Sequence, residues 1–257
     1  MSSRYESLQV ASFYPDVFHV PAPGELPTPS AAAGGDVWPR RPGVFVRALP
    51  VPATGTPNDA TADIPSDAQA PAEAEASAQA APAWRHDLAT GQFGLVPRWV
   101  KSASDAKLRA TKLVNARSET VTTSQNFRDA WLAGQRCIVP MMAFFDDDWR
   151  TGKAVPTRIA RVDGQPMGVA GLWERWEKNG EVIVSYTLLT VNANSHALMH
   201  RYQHAGVEKR MPAILSEGAY DAWLNARPDK AKEFMRAYPA NWLTANPVEK
   251  KGKKPLI

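Results

Sequence analysis

The densest set of groups able to do chemistry in this 257-residue chain is Leu113-Val114-Asn115-Ala116-Arg117-Ser118-Glu119-Thr120, a short apolar lead into a polar knot. Asn115 donates and accepts at once, and Arg117 carries a rigid planar fork of donors. Ser118 followed by Glu119 reads as a strand turning into a helix start. Such a set suits holding a phosphate or a sugar. A second candidate is the start of the chain. Removal of Met1 ahead of the small Ser2 would expose an α-amine whose pKa of about 8 leaves much of it neutral and able to attack an aldehyde.

Three further constellations carry less. Alternation puts Asp146 and Asp148 of Asp146-Asp147-Asp148 on one side of an extended chain, yet no complementary ligand spacing follows, so the reading is a turn built on Asp side chains. His196, His200 and His204 would stack on one face of a continuous helix, but no carboxylate or Cys stands at a matching spacing for zinc. Cys137, alone in the chain and set in an apolar run, reads as a buried strand residue. Neither a metal nor a cofactor is expected.

The elements that must position these groups are mostly strands. Gly43–Leu49 alternates as a strand, Gln92–Val100 is expected as a core strand, and Arg136–Phe145 as a strand pair. Pro156–Val162, Met167–Trp176 and Val182–Asn192 are heavy in Val, Ile, Thr, Tyr and Trp and supply more strands. Short helices are expected over Ser118–Thr123, Asn126–Ala133, from Ser216 through Trp223, and from Pro228 to Tyr238. Phe127 and Trp131, four apart, belong to the core. The fold class is therefore α+β, a largely antiparallel, barrel-like sheet with short helices.

Composition sets the organisation. A hydrophobic content of 44% builds a real core, and one domain is expected from residues 1–49 and 84–245. Residues 50–83 are rich in Ala, Pro and acidic groups with few large apolar side chains, which predicts a disordered surface insertion. Residues 246–257 form a basic tail. The insertion holds Asp59, Asp63, Asp67, Glu73 and Glu75 and no Lys or Arg, so the remainder is five charges more positive than the net +4 of the whole. A basic body is compatible with a polyanionic partner, and Arg98, Lys101, Lys107, Arg109 and Lys112 are candidate phosphate contacts. With no apolar run of about 18 residues and no signal-peptide pattern, the expectation is a soluble, cytoplasmic protein without a membrane partner.

Six blocks, in order, resemble the SRAP family, the SOS-response-associated peptidases. They are Met1–Glu6, Phe93-Gly94-Leu95-Val96-Pro97-Arg98-Trp99, Asn115–Thr120, Arg136-Cys137-Ile138-Val139-Pro140, Ala143-Phe144-Phe145-Asp146 and Glu208-Lys209-Arg210-Met211-Pro212. The resemblance implies a protein that attaches covalently to abasic sites in single-stranded DNA: the α-amine of an N-terminal cysteine attacks the sugar aldehyde, and the thiolate closes a thiazolidine. By the same resemblance Asn115 holds the sugar and Arg117 the neighbouring phosphate. Arg4, Arg98, Lys209 and Arg210 join Arg117 as candidate DNA-binding residues.

At three positions the chain departs from the family. Ser2 stands where the family has cysteine, and a hydroxyl hardly ionises near neutral pH, so a reversible Schiff base is expected over a durable crosslink. Asp146 stands where the family has Glu, about 1.5 Å shorter in reach. Counting back from Glu208-Lys209-Arg210-Met211, the family's His position falls on Gln203, with His204 one residue away as a substitute if the loop slips. The family comparison also ends the helix near Tyr202. The resulting expectation is a monomeric abasic-site processing protein, associated with the nucleoid when bound to DNA. The alternative is a binding module for damaged or single-stranded DNA that has lost the chemistry. A general protease ranks last, because no Ser-His-Asp or Cys-His constellation is present.

Overall fold

In the computed structural model, which describes residues 3–22, 35–48 and 86–248, two β-sheets carry the molecule. The first part of the chain forms β1 (Tyr5–Glu6), α1 (Phe13–Phe18), β2 (Asp36–Val37), β3 (Pro42–Ala48), β4 (His86–Phe93) and α2 (Ala103–Ala110). The middle forms β5 (Asn115–Arg117), α3 (Arg128–Leu132), β6 (Arg136–Met141), β7 (Ala143–Asp148), β8 (Val155–Arg161), β9 (Met167–Lys178) and β10 (Glu181–Asn192). After a single 3-10 turn at Met199–Arg201 come β11 (Arg210–Pro212), β12 (Ile214–Leu215), α4 (Tyr220–Leu224) and β13 (Leu243–Pro247).

β10, β4, β3, β6 and β9 close on one another as a five-stranded barrel in which only the β10–β4 pair is parallel. β6 is buried at every position, as is the first half of β9, because both faces of these strands are covered; they read as continuous apolar runs for that reason. Beyond Leu172, β9 alternates, with Glu174 and Trp176 inward and Arg175 and Glu177 outward. Asn179-Gly180 joins β9 to β10 with φ of 53° and 79°, the positive pair that a two-residue hairpin needs to match strand twist.

The barrel has one seam. β9 and β10 pair from Glu181↔Lys178 to Leu188↔Gly171 and then part. The β11–β12 segment enters the gap, pairing with β10 through Thr190↔Pro212 and with β9 through Ile214↔Val169. Ala213 ties both lips, its N–H donating to Leu189 O and its carbonyl accepting from Ala170 N–H, each at 2.9 Å. On the other edge of β10, β4 gives way to β5, which pairs Leu188↔Asn115 and Thr190↔Arg117. The polar knot and the Glu208–Pro212 block are thus brought to opposite sides of one strand end.

The second sheet runs β13-β8-β7-β1-β2, antiparallel throughout, with β1 at Tyr5↔Phe144 and Tyr5↔Val37. Arg136–Phe145 is accordingly not a strand pair: β6 belongs to the barrel and β7 to the second sheet, and the chain changes sheets at Met142, whose N–H donates to Glu6 O. The expected strand over Gln92–Val100 ends at Phe93, because Gly94 takes φ 113° and Val96 N–H turns to Ser185 Oγ. Ser118–Thr123 forms turns rather than a helix, and the segment after Pro228 makes only a 3-10 turn at Ala231–Phe234. Ser216 precedes that kind of turn too, at Glu217–Ala219, without a side-chain capping bond. Asp146–Asp148 lies inside β7, paired with Val155–Thr157, and the turn follows it, with Asp148 Oδ1 accepting from Arg150 N–H. The residues of the expected insertion at 50–83 lie outside the described residues, as does 249–257, while the boundary expected at 245 falls inside β13.

The close approach at Gly171 tests the seam. A Cβ there would meet Thr187 O at 2.5 Å and Cys137 Sγ at 2.9 Å. Gly171→Ala is expected to cost about 1–3 kcal/mol in urea denaturation, whereas Gly218→Ala, with nothing within 4 Å, should leave the midpoint unchanged.

Candidate functional site

The end of β10 gathers four charged side chains into an alternating chain. Arg210, on β11, is buried to 2% exposure, and its Nη1 and Nη2 donate to Glu119 at 3.0 and 2.8 Å. Nη1 also donates to Glu208 Oε1 at 2.7 Å, and Nη2 to Thr190 O at 2.7 Å. Arg117, half-exposed on β5, pairs with Glu208 Oε2 at 3.0 Å. Asn192 Nδ2 donates to Glu208 Oε1 at 2.7 Å. The order Arg117–Glu208–Arg210–Glu119 is set by register, since Thr190 faces Arg117 on one side and Asn192 faces Arg210 on the other. Burial is the largest influence on the Glu119 carboxyl and raises it, but the Arg210 hydrogen bonds, the Arg210 charge and backbone hydrogen bonds together bring the pKa below the ordinary value. The Arg210 and Asn192 donors likewise hold Glu208 low.

A second contact chain runs from Arg210 to Asp146. Gln203, buried and at φ 65°, donates from Nε2 to Arg210 O at 2.7 Å and to Asp146 Oδ2 at 2.9 Å. Its Oε1 accepts from Arg210 N–H at 3.2 Å, and its own N–H donates to Asp147 O. Burial raises the Asp146 carboxyl above its ordinary pKa, against the pull of the Gln203 hydrogen bond. Asp146 also lies next to the strand that carries Tyr5: Tyr5↔Phe144 and the bond from Phe145 N–H to Arg4 O place Ser3 opposite Asp146 by register.

The residues singled out from the sequence distribute unevenly over this geometry. Arg117, Asp146, Gln203 and Arg210 come together through the contacts above, while Asn115 lies two residues before Arg117 on β5 with its side-chain oxygen buried, and Lys209 directly precedes Arg210. Ser2 lies outside the described residues. His204 does not take the place of Gln203. It is exposed, its ring edge on Trp149 at 4.9 Å between centroids and its Nδ1 on Ala205 O. Lys209 Nζ caps the loop by donating to the Gln203 and His204 carbonyls at 3.0 and 2.7 Å. Arg210, expected among the DNA-binding residues, is buried, and its Nη1 and Nη2 are taken by Glu119, Glu208 and Thr190, so in this structure it fixes its neighbours.

Arg4 is packed against the Phe145 ring at 3.8 Å and the Trp38 ring at 4.8 Å and paired with Asp36 at 3.1 Å. Arg98 stands apart, held by Glu174 at 2.7 Å and Gln135 at 3.0 Å. Glu174 pairs with Ser185, five positions before Thr190 on β10, or about 17 Å at strand rise. The three histidines have separate partners. His196 Nδ1 accepts from Leu198 and Met199 N–H and its Nε2 donates to Tyr238 O, while His200 turns to His196 O. Sequence reasoning passed over Glu208, Glu119 and Asn192. The signal available for Glu208 was its place two residues before Arg210, on the same face of an extended chain.

The family model for the SOS response associated peptidase (SRAP) matches residues 49–255. The Bacillus subtilis abasic site processing protein YoqW is 30% identical over 164 residues, 61% of this chain and 67% of that protein. The Gallus gallus abasic site processing protein HMCES is 27% identical over 179 residues, and there the match spans 51% of the relative. A crystal structure of a Bordetella bronchiseptica protein superposes with a TM-score of 0.74 at 36% identity, covering 96% of this chain and 100% of that one.

A proton-linkage measurement isolates Asp146. Its raised pKa means that the folded state keeps the proton to higher pH than the unfolded state does, so its contribution is present at acid pH and is lost as pH rises from the ordinary carboxylate value through the raised one. The stability of the natural chain minus that of Asp146→Asn, followed by urea denaturation between acid and neutral pH, should fall across that window. A flat difference would show that Asp146 has the same proton affinity folded and unfolded.

Proposed function

Because the chain belongs to the SOS response associated peptidase (SRAP) family, we propose that it processes abasic sites in single-stranded DNA, forming a Schiff base between the N-terminal amine and the sugar aldehyde. The supporting observation is the contact chain Asp146–Gln203–Arg210–Glu208–Arg117, which links a buried carboxylate near the chain start to a half-exposed guanidinium. In this reading Arg117 takes a backbone phosphate and Asn115 the sugar. Asp146, with its pKa raised by burial, exchanges the proton that amine addition requires. The amine adds to the aldehyde carbon, water leaves from the resulting carbinolamine, and hydrolysis reverses the step. Ser2, lacking a thiol, closes no thiazolidine, so the adduct remains reversible.

Gln203 favours a second reading, a binding module without covalent chemistry. Both ends of its amide are occupied by Asp146 and the Arg210 backbone, and an amide moves no proton near neutral pH. In the covalent reading, by contrast, proton transfer falls to Asp146 and not to Gln203.

Borohydride separates the two readings. Incubation with an abasic single-stranded oligonucleotide is expected to give a shifted band on a denaturing gel only when borohydride is present, and N-terminal acetylation should abolish it. Binding without a band in either condition would leave the binding module standing. A band stable without reduction would overturn the account of Ser2. Arg117→Ala should weaken oligonucleotide binding about three- to tenfold, as expected for one phosphate contact; unchanged affinity would remove Arg117 from the site.

A further inference from the structure

We propose that Glu208 is a resident counter-anion for Arg117, occupying in the free protein the position that a nucleic-acid phosphate takes on binding, so that engagement of the strand is an anion exchange at one guanidinium. The inference rests on the reading that Arg117 contacts the strand and adds a group that controls when it does. The two oxygens of Glu208 are held differently. Oε1 is anchored by two donors, Arg210 Nη1 and Asn192 Nδ2, each at 2.7 Å. Oε2 faces Arg117 at 3.0 Å. Asn192 is itself oriented, since its Oδ1 accepts from Asn194 N–H at 3.0 Å, which fixes its amide nitrogen toward Glu208.

The mobility of the pair is therefore one-sided. Arg210 is buried and has two carboxylates, a backbone carbonyl and the Thr190 hydroxyl on it, so Glu208 is fixed from that side. Arg117 is 53% exposed, on a long side chain that reaches into solvent. When a phosphodiester arrives, Arg117 swings and Glu208 stays. The carboxylate is then left beside a second anion, and it remains ionised at neutral pH because Arg210 and Asn192 hold its pKa low. Occupancy of Arg117 before binding and repulsion after it both lower affinity for a strand that offers nothing but phosphates. An additional interaction elsewhere in the site has to offset that cost.

The anchoring predicts the outcome of an isosteric change. In Glu208→Gln the amide oxygen must face the two donors, Arg210 and Asn192, which turns the amide N–H groups toward the guanidinium of Arg117. Donor meets donor, and Arg117 is released while Arg210 keeps its hydrogen bond.

Fluorescence anisotropy with an undamaged and an abasic single-stranded oligonucleotide, over a series of salt concentrations, tests the exchange in the natural chain, Glu208→Gln, Arg117→Ala and the double variant. Glu208→Gln should tighten binding of the undamaged strand about fivefold, the scale of one half-exposed ion pair. It should also steepen the slope of log K against log salt by about 0.7, the value for one more phosphate neutralised on a single strand. Arg117→Ala alone should weaken binding and leave the slope nearly unchanged, because in the natural chain the cation that Arg117 displaces from the phosphate is offset by one retained beside the Glu208 carboxylate that it leaves. In the Glu208→Gln background the same Arg117→Ala change should remove both gains.

Tightening that persists without Arg117 would mean a general field effect and overturn the exchange. A loss of binding in Arg117→Ala together with an unaltered Glu208→Gln would also overturn it, while leaving Arg117 as a strand contact. If Arg117→Ala has no effect in either background, it is the underlying reading of the site that fails. Should Glu208→Gln not fold, the slope of Arg117→Ala decides alone: a decrease of about 0.7 is incompatible with prior neutralisation.

Discussion

A guanidinium removed from water needs a neutralising partner and acceptors for its terminal N–H groups, and the architecture around Arg210 supplies both to Nη1 and Nη2. Its partners come from β5's trailing turn (Glu119), from the strand end of β10 (Thr190) and from the residue two before it (Glu208). None of these could converge if the barrel closed fully. The parting of β9 and β10 beyond Leu188 admits β11–β12, and β5 replaces β4 on the other edge, so the seam that interrupts the barrel is also what assembles the charged chain. A change that loses Arg210 would strand two carboxylates beside each other as well as weaken the wedge.

The same segment governs Asp146. Gln203 is pinned on one side by the Arg210 backbone and on the other by Asp146 and Asp147, in a positive-φ conformation that a non-glycine residue adopts only when its surroundings impose it. Lys209 closes this loop by binding two carbonyls in a row. The Gln203 amide carries no proton near neutral pH and lends rigidity instead, and the Asp146 carboxyl that it holds has its pKa raised by burial. Of the three positions expected to depart from the family pattern, Asp146 and Gln203 touch each other, and Ser2 lies outside the described residues.

Much of this was legible in the sequence. The strands β3, β8, β9 and β10 and the core pair Phe127 and Trp131 follow from β-branched and aromatic content and from spacing, because burial fixes both. The knot and the Glu208–Pro212 block were visible as polar clusters. Their meeting was not, since it depends on a break in strand pairing between β9 and β10 that no local pattern records. α2 escaped for a different reason: its buried face consists of Ala106 and Ala110, too small to mark a helical period. The change of sheet at Met142 was hidden inside an unbroken apolar run, and Arg210 looked like a surface cation because sequence carries charge without depth.

The pairing of β3 with β4 has one more consequence. The two strands stay in register to Ala48↔His86, and His86 is clasped at that end by Phe18 O at 3.0 Å and Asp221 at 2.6 Å. The two ends of the intervening segment, Ala48 and His86, are therefore neighbouring points that the barrel itself holds in place. The entropic cost of such a connection grows only with the logarithm of its length, about 0.6 kcal/mol for each doubling. The β3–β4 hairpin end is thus a socket into which an engineer can seat a tag or a whole domain while the far end of β10 keeps its geometry.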